Sequence, residues 1–399
     1  LLLLFIAYRL FSLQIYHGSE YKRRSDINQF TTNTLSAQRG RIFDRRGVLL
    51  ATNRPLYHID LRFTKLKPTR HALKEAQEVL QLDDIQYKAL QDEVTAGKFD
   101  RVIRLQKNLT MKDIQLIYQR LTSIHGIEIT PVFIRHYPLG AACASVTGYS
   151  VAKNTKLTTI KQSETKHIAA DYDGVSGIEQ YYDTLLSGTN GIARYKRNAK
   201  GHLIEETSVE EAVPGHDLTL SIDSALQNII HKHMKGHTGA VIVSNPRNGE
   251  ILALYSAPSF DPNIFSNPKQ RHLMGQYLHN NNKPLFNRAV QGLFPPASTI
   301  KPFLALHALQ KNIIQPQDTI FDPGYYRFGT SEYIYHNWYR QGHGVVDVKK
   351  SLILSNDTFY YHLALKLGIG NIYEILSDYG FGKKTAIDLP GETQGLVPN

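Results

Sequence analysis

Residues 1–16, "LLLLFIAYRLFSLQIY", are mostly apolar or aromatic, with Arg9 their only charge. A bilayer-spanning helix needs ~20 such residues, so residues 1–16 read as the end of a transmembrane anchor, with Arg9 snorkelling toward the helix end. An amphipathic core helix and a signal-peptide remnant are the alternatives. Lys22, Arg23 and Arg24 follow, but the charge comparison across a membrane also needs residues before Leu1, so the pattern leaves orientation open.

Residues 17–210 mix two periodicities. In "LSAQRGRIFDRRGVLLATNRPLYHIDL", Gly40 and Gly47 bracket a charged run with β-formers on either side, which predicts strands joined by a charged turn. Residues 68–123 carry helical periodicity, as in "HALKEAQEVLQL" and "MKDIQLIYQRL". "GIEITPVFIRHYPLG" returns to strand character, and a glycine-punctuated stretch after it predicts a short helix around Ile178 to Leu186. No internal repeat is present, and the expectation is an irregular α/β pedestal.

A second module is expected over residues 211–399. Leu218, Leu220 and Ile222 alternate as in a strand, and Asp223 suits the N-cap of a helix bearing Leu226, Ile229 and Ile230. In "GAVIVSNPRNGEILALYS" two apolar runs flank a turn containing Asn248-Gly249, a hairpin signal. A mainly helical stretch follows. The overall class is α+β, with helices packed on an antiparallel sheet in this second module.

Composition narrows the picture. A chain of 399 residues suits two or three domains. With 42% hydrophobic residues it can bury sizeable cores and is not generally disordered. The single cysteine, Cys143, excludes an intramolecular disulfide and any thiolate cluster, and reads as a small buried residue. A formal charge of +11 permits nucleic acid, anionic lipid or an acidic polymer as partner. The positive residues are dispersed, however, with no arginine-rich arm, zinc finger or RNP-like signature, so no nucleic acid is expected. A membrane surface or anionic wall material suits the charge better.

The candidate chemistry lies in "GLFPPASTIKPFLALHALQ". S-x-x-K starts at Ser19, Ser150, Ser163, Ser266 and Ser298, so the pattern alone is uninformative. Around Ser298, Pro295, Pro296 and Pro302 pin a helix start, because proline fits a first turn and damages an interior. Residues at i and i+3 share a helical face, so Lys301 is placed to bring its amine to the Ser298 hydroxyl. Free N–H groups at the helix start suit a developing oxyanion. A lysine whose charge is suppressed activates serine for acyl transfer; a capping serine beside a solvated lysine is the bland alternative. A second constellation, Ser355-Asn356-Asp357 in "SLILSNDTFYYHLALKLGI", opens another apolar helix.

The pairing of S-x-x-K with S-x-D resembles the penicilloyl-serine transferases, whose third element is K-T-G. "RGRIFDRRGVLLATN", "GVSGIEQYYDTLLSGTNG", "GEILALYSAPSFDPN" and "YGFGKKTAIDLPGET" are similar to stretches of the class B penicillin-binding proteins, and "HNWYRQGHGVVDVKKSLILSNDTFYY" resembles their elongation-type branch. The resemblance covers nearly all of the chain. It implies a single-pass inner-membrane protein with its catalytic domain in the periplasm, acting as a peptidoglycan D,D-transpeptidase in cell elongation and shape maintenance. Ser298 matches the nucleophile, Lys301 the general base, Ser355 the proton relay and Asp357 the residue orienting substrate or base. Implied partners are peptidoglycan stem peptides, a SEDS-family glycosyltransferase, other elongation-complex proteins and β-lactams. The sequence carries no K-T-G up to Asn399, so the transpeptidase domain reads as truncated, and the stretch as given is not expected to be a competent catalyst.

Some elongation-type relatives carry a metal cluster of Asp, Asp, His and Cys. The matching positions here are Asp322, Asn337, His343 and Asn356. Amides are weak zinc ligands, so no cofactor is expected, and zinc only if this degenerate set still binds. Two alternatives stay open: a non-catalytic penicillin-binding sensor or scaffold of wall synthesis, and a serine β-lactamase.

Overall fold

The computed structural model describes residues 2–12, 15, 30–35, 37–63, 70–96, 101–122, 124, 127–152, 172–197, 203–330 and 332–399. Ser19, the basic run Lys22 to Arg24 and Ser163 lie outside them. The chain divides into two units, Leu1–Ala289 and Val290–Asn399.

In the first unit, α1 (Leu2–Phe11) leaves Phe5, Ile6, Tyr8 and Phe11 exposed. Among the described residues no helix is long and apolar enough to cross a membrane. The strands β1 (Phe30–Leu35), β2 (Ile42–Phe43) and β3 (Leu49–Phe63) follow. The expected charged turn joins β2 to β3: one Asp44 carboxylate oxygen accepts the N–H groups of Arg46 and Val48, both at 2.8 Å, and Gly47 takes φ +81°. Its other oxygen accepts the Ser224 hydroxyl at 2.6 Å. Burial pushes the Asp44 carboxyl up, but the hydrogen bonds from Ser224, Val48 and Arg46 outweigh it and hold the group below the usual aspartate range.

Helices α2 (Arg70–Leu80) and α3 (Asp84–Ala96) realise the expected periodicity, but a strand, β4 (Arg101–Leu109), interrupts it before α4 (Met111–Thr122). Residues 68–123 are therefore not uniformly helical. Ile103 and Leu105 recur at period two, and β3 offers the ladder that makes this segment a strand. Thr110 and Asp113 start α4 with a reciprocal cap, N–H to side chain in both directions at 2.8 and 3.3 Å. β5 (Ile127–His136) pairs along the other edge of β3. The helices bury this sheet's face: Ile59 packs with Ala76, Val79, Ile114 and Leu121, and Leu61 with Leu73, Leu90 and Val94.

β6 (Ser150–Ala152) pairs with β7 (Tyr172–Gly174). The single helix expected around Ile178 to Leu186 is two, α5 (Gly177–Tyr181) and α6 (Asp183–Ser187), broken where Tyr182 leaves helical geometry. Within α5, Glu179 is fully buried between Arg39 and Arg135, each at 2.6 Å. Gly40 beside this cluster has no room for a Cβ, which would meet the His216 carbonyl. Cys143 is buried, and burial pushes its thiol up to about 12.

β8 (Gly191–Arg197) lies between β1 and β9 (Leu203–Glu210). The strand expected through Ile222 is shorter, β10 (Leu218–Thr219), paired parallel with β2. Asp223 caps α7 (Ser224–His233) by accepting the N–H groups of Ala225 and Leu226. The expected hairpin is β11 (Gly239–Ser244) antiparallel to β12 (Ile251–Ala257), with Ile230 of α7 packed on Ala253, Tyr255 and Ala257.

The second unit comprises α8 (Lys301–Gln310), β13 (Ile320–Asp322), β14 (Tyr325–Arg327), β15 (Ile334–His336), β16 (Gly344–Val346), α9 (Val348–Ile353) and α10 (Asp357–Asp378). Gly368, at φ +73°, breaks α10. Leu304, Ala305 and Ala308 of α8 pack against Val346, Val348 and the α10 residues Phe359, Tyr360, Leu363 and Leu367. That core fixes the start of α8 beside the start of α10.

Candidate active site

A 3₁₀ turn over Ala297–Ile300 precedes α8, and Pro302 occupies its first turn. Ala297 takes φ +50°, a left-handed conformation that costs a residue with a Cβ about 1–3 kcal/mol. Ser298 is exposed in this turn, while Lys301 is 7% exposed. The Lys301 side chain points inward, toward the segment between α9 and α10 that carries Ser355 and Asp357.

Ser355 bridges the two. Its hydroxyl donates to Ser298 Oγ at 2.7 Å and accepts from Lys301 Nζ at 3.3 Å. Lys301 Nζ also donates to the Ser355 carbonyl at 2.9 Å and to Asp357 Oδ1 at 2.6 Å. The connection expected between Lys301 and Ser298 runs through Ser355; among the described residues no hydrogen bond joins the two directly. The Asp357 carboxylate and the Ser355 carbonyl draw the ammonium to their side, and the Ser355 hydroxyl fills the interval.

The turn holding Ser355 is itself unusual. Ser355 has φ +49°, and Asn356 caps α10 by accepting the Phe359 N–H at 2.7 Å. The exposed indole of Trp338 donates to the Leu354 carbonyl at 2.8 Å. Of the other S-x-x-K serines, Ser150 is buried against the Tyr137 hydroxyl and Ser266 is buried over the Asn263 carbonyl.

Asp322, Asn337, His343 and Asn356 also converge. Asp322 Oδ2 accepts from the Asn337 and Asn356 amides at 2.6 Å each, and from the His343 backbone N–H at 3.0 Å. His343 Nδ1 lies 3.1 Å from the same oxygen. Asp322 Oδ1 accepts from the Gly324 N–H and the Thr358 hydroxyl, both at 2.8 Å. Burial pushes this carboxyl up, and the bonds from Thr358, Gly324, His343 and Asn356 more than reverse that, holding it below the usual aspartate range. The residues do not fit a metal. The amides present N–H groups, and the carboxylate lone pairs are occupied by donors. Among the described residues no group of three or more His, Cys, Asp or Glu side chains is placed to hold an ion. Thr358 was not visible as part of this set; a threonine inside a helix carries no signal of a partner 36 residues away.

Residues 34–220 match the family described as Penicillin-binding Protein dimerisation domain, and residues 239–399 that described as Penicillin binding protein transpeptidase domain. The chain belongs to the penicillin-binding proteins. Within this family it is 35% identical over 404 residues to Peptidoglycan D,D-transpeptidase MrdA of Acinetobacter baumannii, covering 100% of this chain and 59% of that protein. The chain thus spans about three-fifths of the length of that curated relative. Among solved penicillin-binding proteins, it resembles the Helicobacter pylori protein PBP2 in complex with MreC, with a TM-score of 0.75 at 26% identity, over 93% of this chain and 69% of that one. A peptidoglycan synthase complex, described as structural coordination of polymerization and crosslinking, matches 100% of this chain and 68% of that one, with a TM-score of 0.69 at 26% identity.

Proposed function

We propose that this protein is the elongation-type peptidoglycan D,D-transpeptidase of its cell, working through an acyl-serine at Ser298. The observation that carries the reading is the continuous contact Ser298–Ser355–Lys301–Asp357, a nucleophile linked to a base through a second hydroxyl. Ser298 Oγ attacks the carbonyl between two D-alanines of a stem pentapeptide. Its proton passes through Ser355 to Lys301 and is returned to the departing amine, so that D-alanine leaves and an ester forms. An amine from a neighbouring stem peptide then attacks the ester, forms the cross-link and restores the Ser298 hydroxyl. β-Lactams present a strained ring carbonyl in place of that peptide carbonyl and acylate Ser298.

The same reading gives an N-terminal anchor in the inner membrane, a pedestal to about residue 210 and a periplasmic transpeptidase domain beyond it. The anchor in this reading rests on the apolar run of residues 1–16. The likeness to a PBP2–MreC complex and to a peptidoglycan synthase complex supports elongation-complex partners; a SEDS-family glycosyltransferase is the partner this reading names.

A fluorescent penicillin incubated with the full-length protein tests this. The expected result is a stable label that Ser298→Ala abolishes and Lys301→Ala slows by roughly 10²-fold or more, as for a lost general base. Rapid hydrolysis of the label would identify a β-lactamase, and no label a scaffold.

A further inference from the structure

The hydrogen bonds around Asp322 reach the reacting groups through the turn they hold. Asn356 and Thr358, both bound to the Asp322 carboxylate, flank Asp357. Asn337, bound to the same carboxylate, accepts the Asp357 backbone N–H through its Oδ1 at 3.2 Å. Ser355 immediately precedes Asn356 and sits at φ +49°. A serine keeps that conformation when its surroundings over-determine it.

We propose that Asp322 is a positioning residue for acylation, the centre of a metal-free clamp that fixes Ser355 against Ser298 and Asp357 against Lys301. This rests on the transpeptidase reading. The polarity of the cluster is the reverse of a metal site. A metal site gathers lone pairs around a cation, whereas here N–H and O–H donors gather around one buried anion. The amide oxygens, the atoms that would ligate, are engaged elsewhere: Asn356 Oδ1 by the Phe359 N–H and Asn337 Oδ1 by the Asp357 N–H. Those backbone donors fix both amide orientations. Removing the anion takes away the acceptor shared by both amides at 2.6 Å, leaving them only His343 Nδ1 at 3.0–3.1 Å, and loosens the turn they hold.

The test is acylation of the full-length protein by a fluorescent penicillin, resolved by concentration dependence into a non-covalent Kd and an acylation step, together with metal content. Wild-type protein is expected to carry no stoichiometric transition metal and to react at an unchanged rate in excess chelator. Asp322→Asn, which keeps size and removes charge, is expected to slow the acylation step about tenfold or more, the scale of a lost charge-assisted hydrogen bond, with Kd within about twofold. Adding Asn356→Asp restores an amide–carboxylate pair of opposite sense and is expected to recover part of the rate. If Asp322→Asn does not melt cooperatively, Asn337→Ala, which removes one arm, carries the same expectation. A folded variant acylating at the wild-type rate overturns the clamp, as does stoichiometric zinc whose removal stops acylation. Unlabelled wild-type protein would instead overturn the transpeptidase reading itself.

Discussion

Lys301 distributes three N–H donors among Asp357, the Ser355 carbonyl and the Ser355 hydroxyl, and the last contact, at 3.3 Å, is the longest. A neutral amine keeps two donors and turns its lone pair to the third site, so the two short bonds hold Nζ while the long one becomes the acceptor. Proton transfer from Ser298 then needs only the hydroxyl of Ser355 to reverse its direction, with no heavy atom moving far. Asp357 holds the amine through a charge-assisted bond, a type that contributes ~1.5–3 kcal/mol. Asp357→Asn is therefore expected to slow penicillin acylation by about tenfold or more, read by the time course of labelling. Ser298, Lys301, Ser355 and Asp357 stood out through the proline-marked helix start, the pairing of the two motifs and the family resemblance, not through local spacing. None of these could place Ser355 between Ser298 and Lys301, because that contact joins helix starts 57 residues apart and depends on how α8 packs on α10.

Elements whose ends are marked by their own residues were legible. Asp223 opens α7 through its own carboxylate, the prolines around Ser298 mark the start of α8, and Asn248-Gly249 lies in the β11–β12 connection. β4 was hidden because nothing within it outweighs the surrounding helical period; it is a strand by virtue of β3, which pairs Ile103 with Leu61. The break at Tyr182 was hidden for a like reason, since Glu179 and Asp183 on its two sides both answer to Arg39. At this scale the site depends on the α8–α10 contact. Leu304→Ala, at a position 6% exposed within that core, is expected to cost about 2–5 kcal/mol in denaturant unfolding, with acylation lost only as the folded fraction falls.

For the molecule as a whole, stability in acid is set by carboxylates buried as anions. Asp44 is one, holding the β2–β3 turn and the start of α7 together. Its folded pKa lies below the unfolded value of ~3.9. Its contribution is therefore complete above about pH 4 and is lost as pH falls through the lower, folded value. Thermal melts of wild-type protein are expected to fall steeply below about pH 4, and Asp44→Asn to melt lower at neutral pH with a flatter acid limb. The chain also has a single tryptophan among its 23 tyrosines, and that indole donates to the carbonyl one residue before Ser355. Any shift of that turn as the ester forms changes the polarity and hydrogen bonding around the ring. On the proposed mechanism, acylation by penicillin is therefore expected to change the protein's own tryptophan emission, and Trp338→Phe to remove that change.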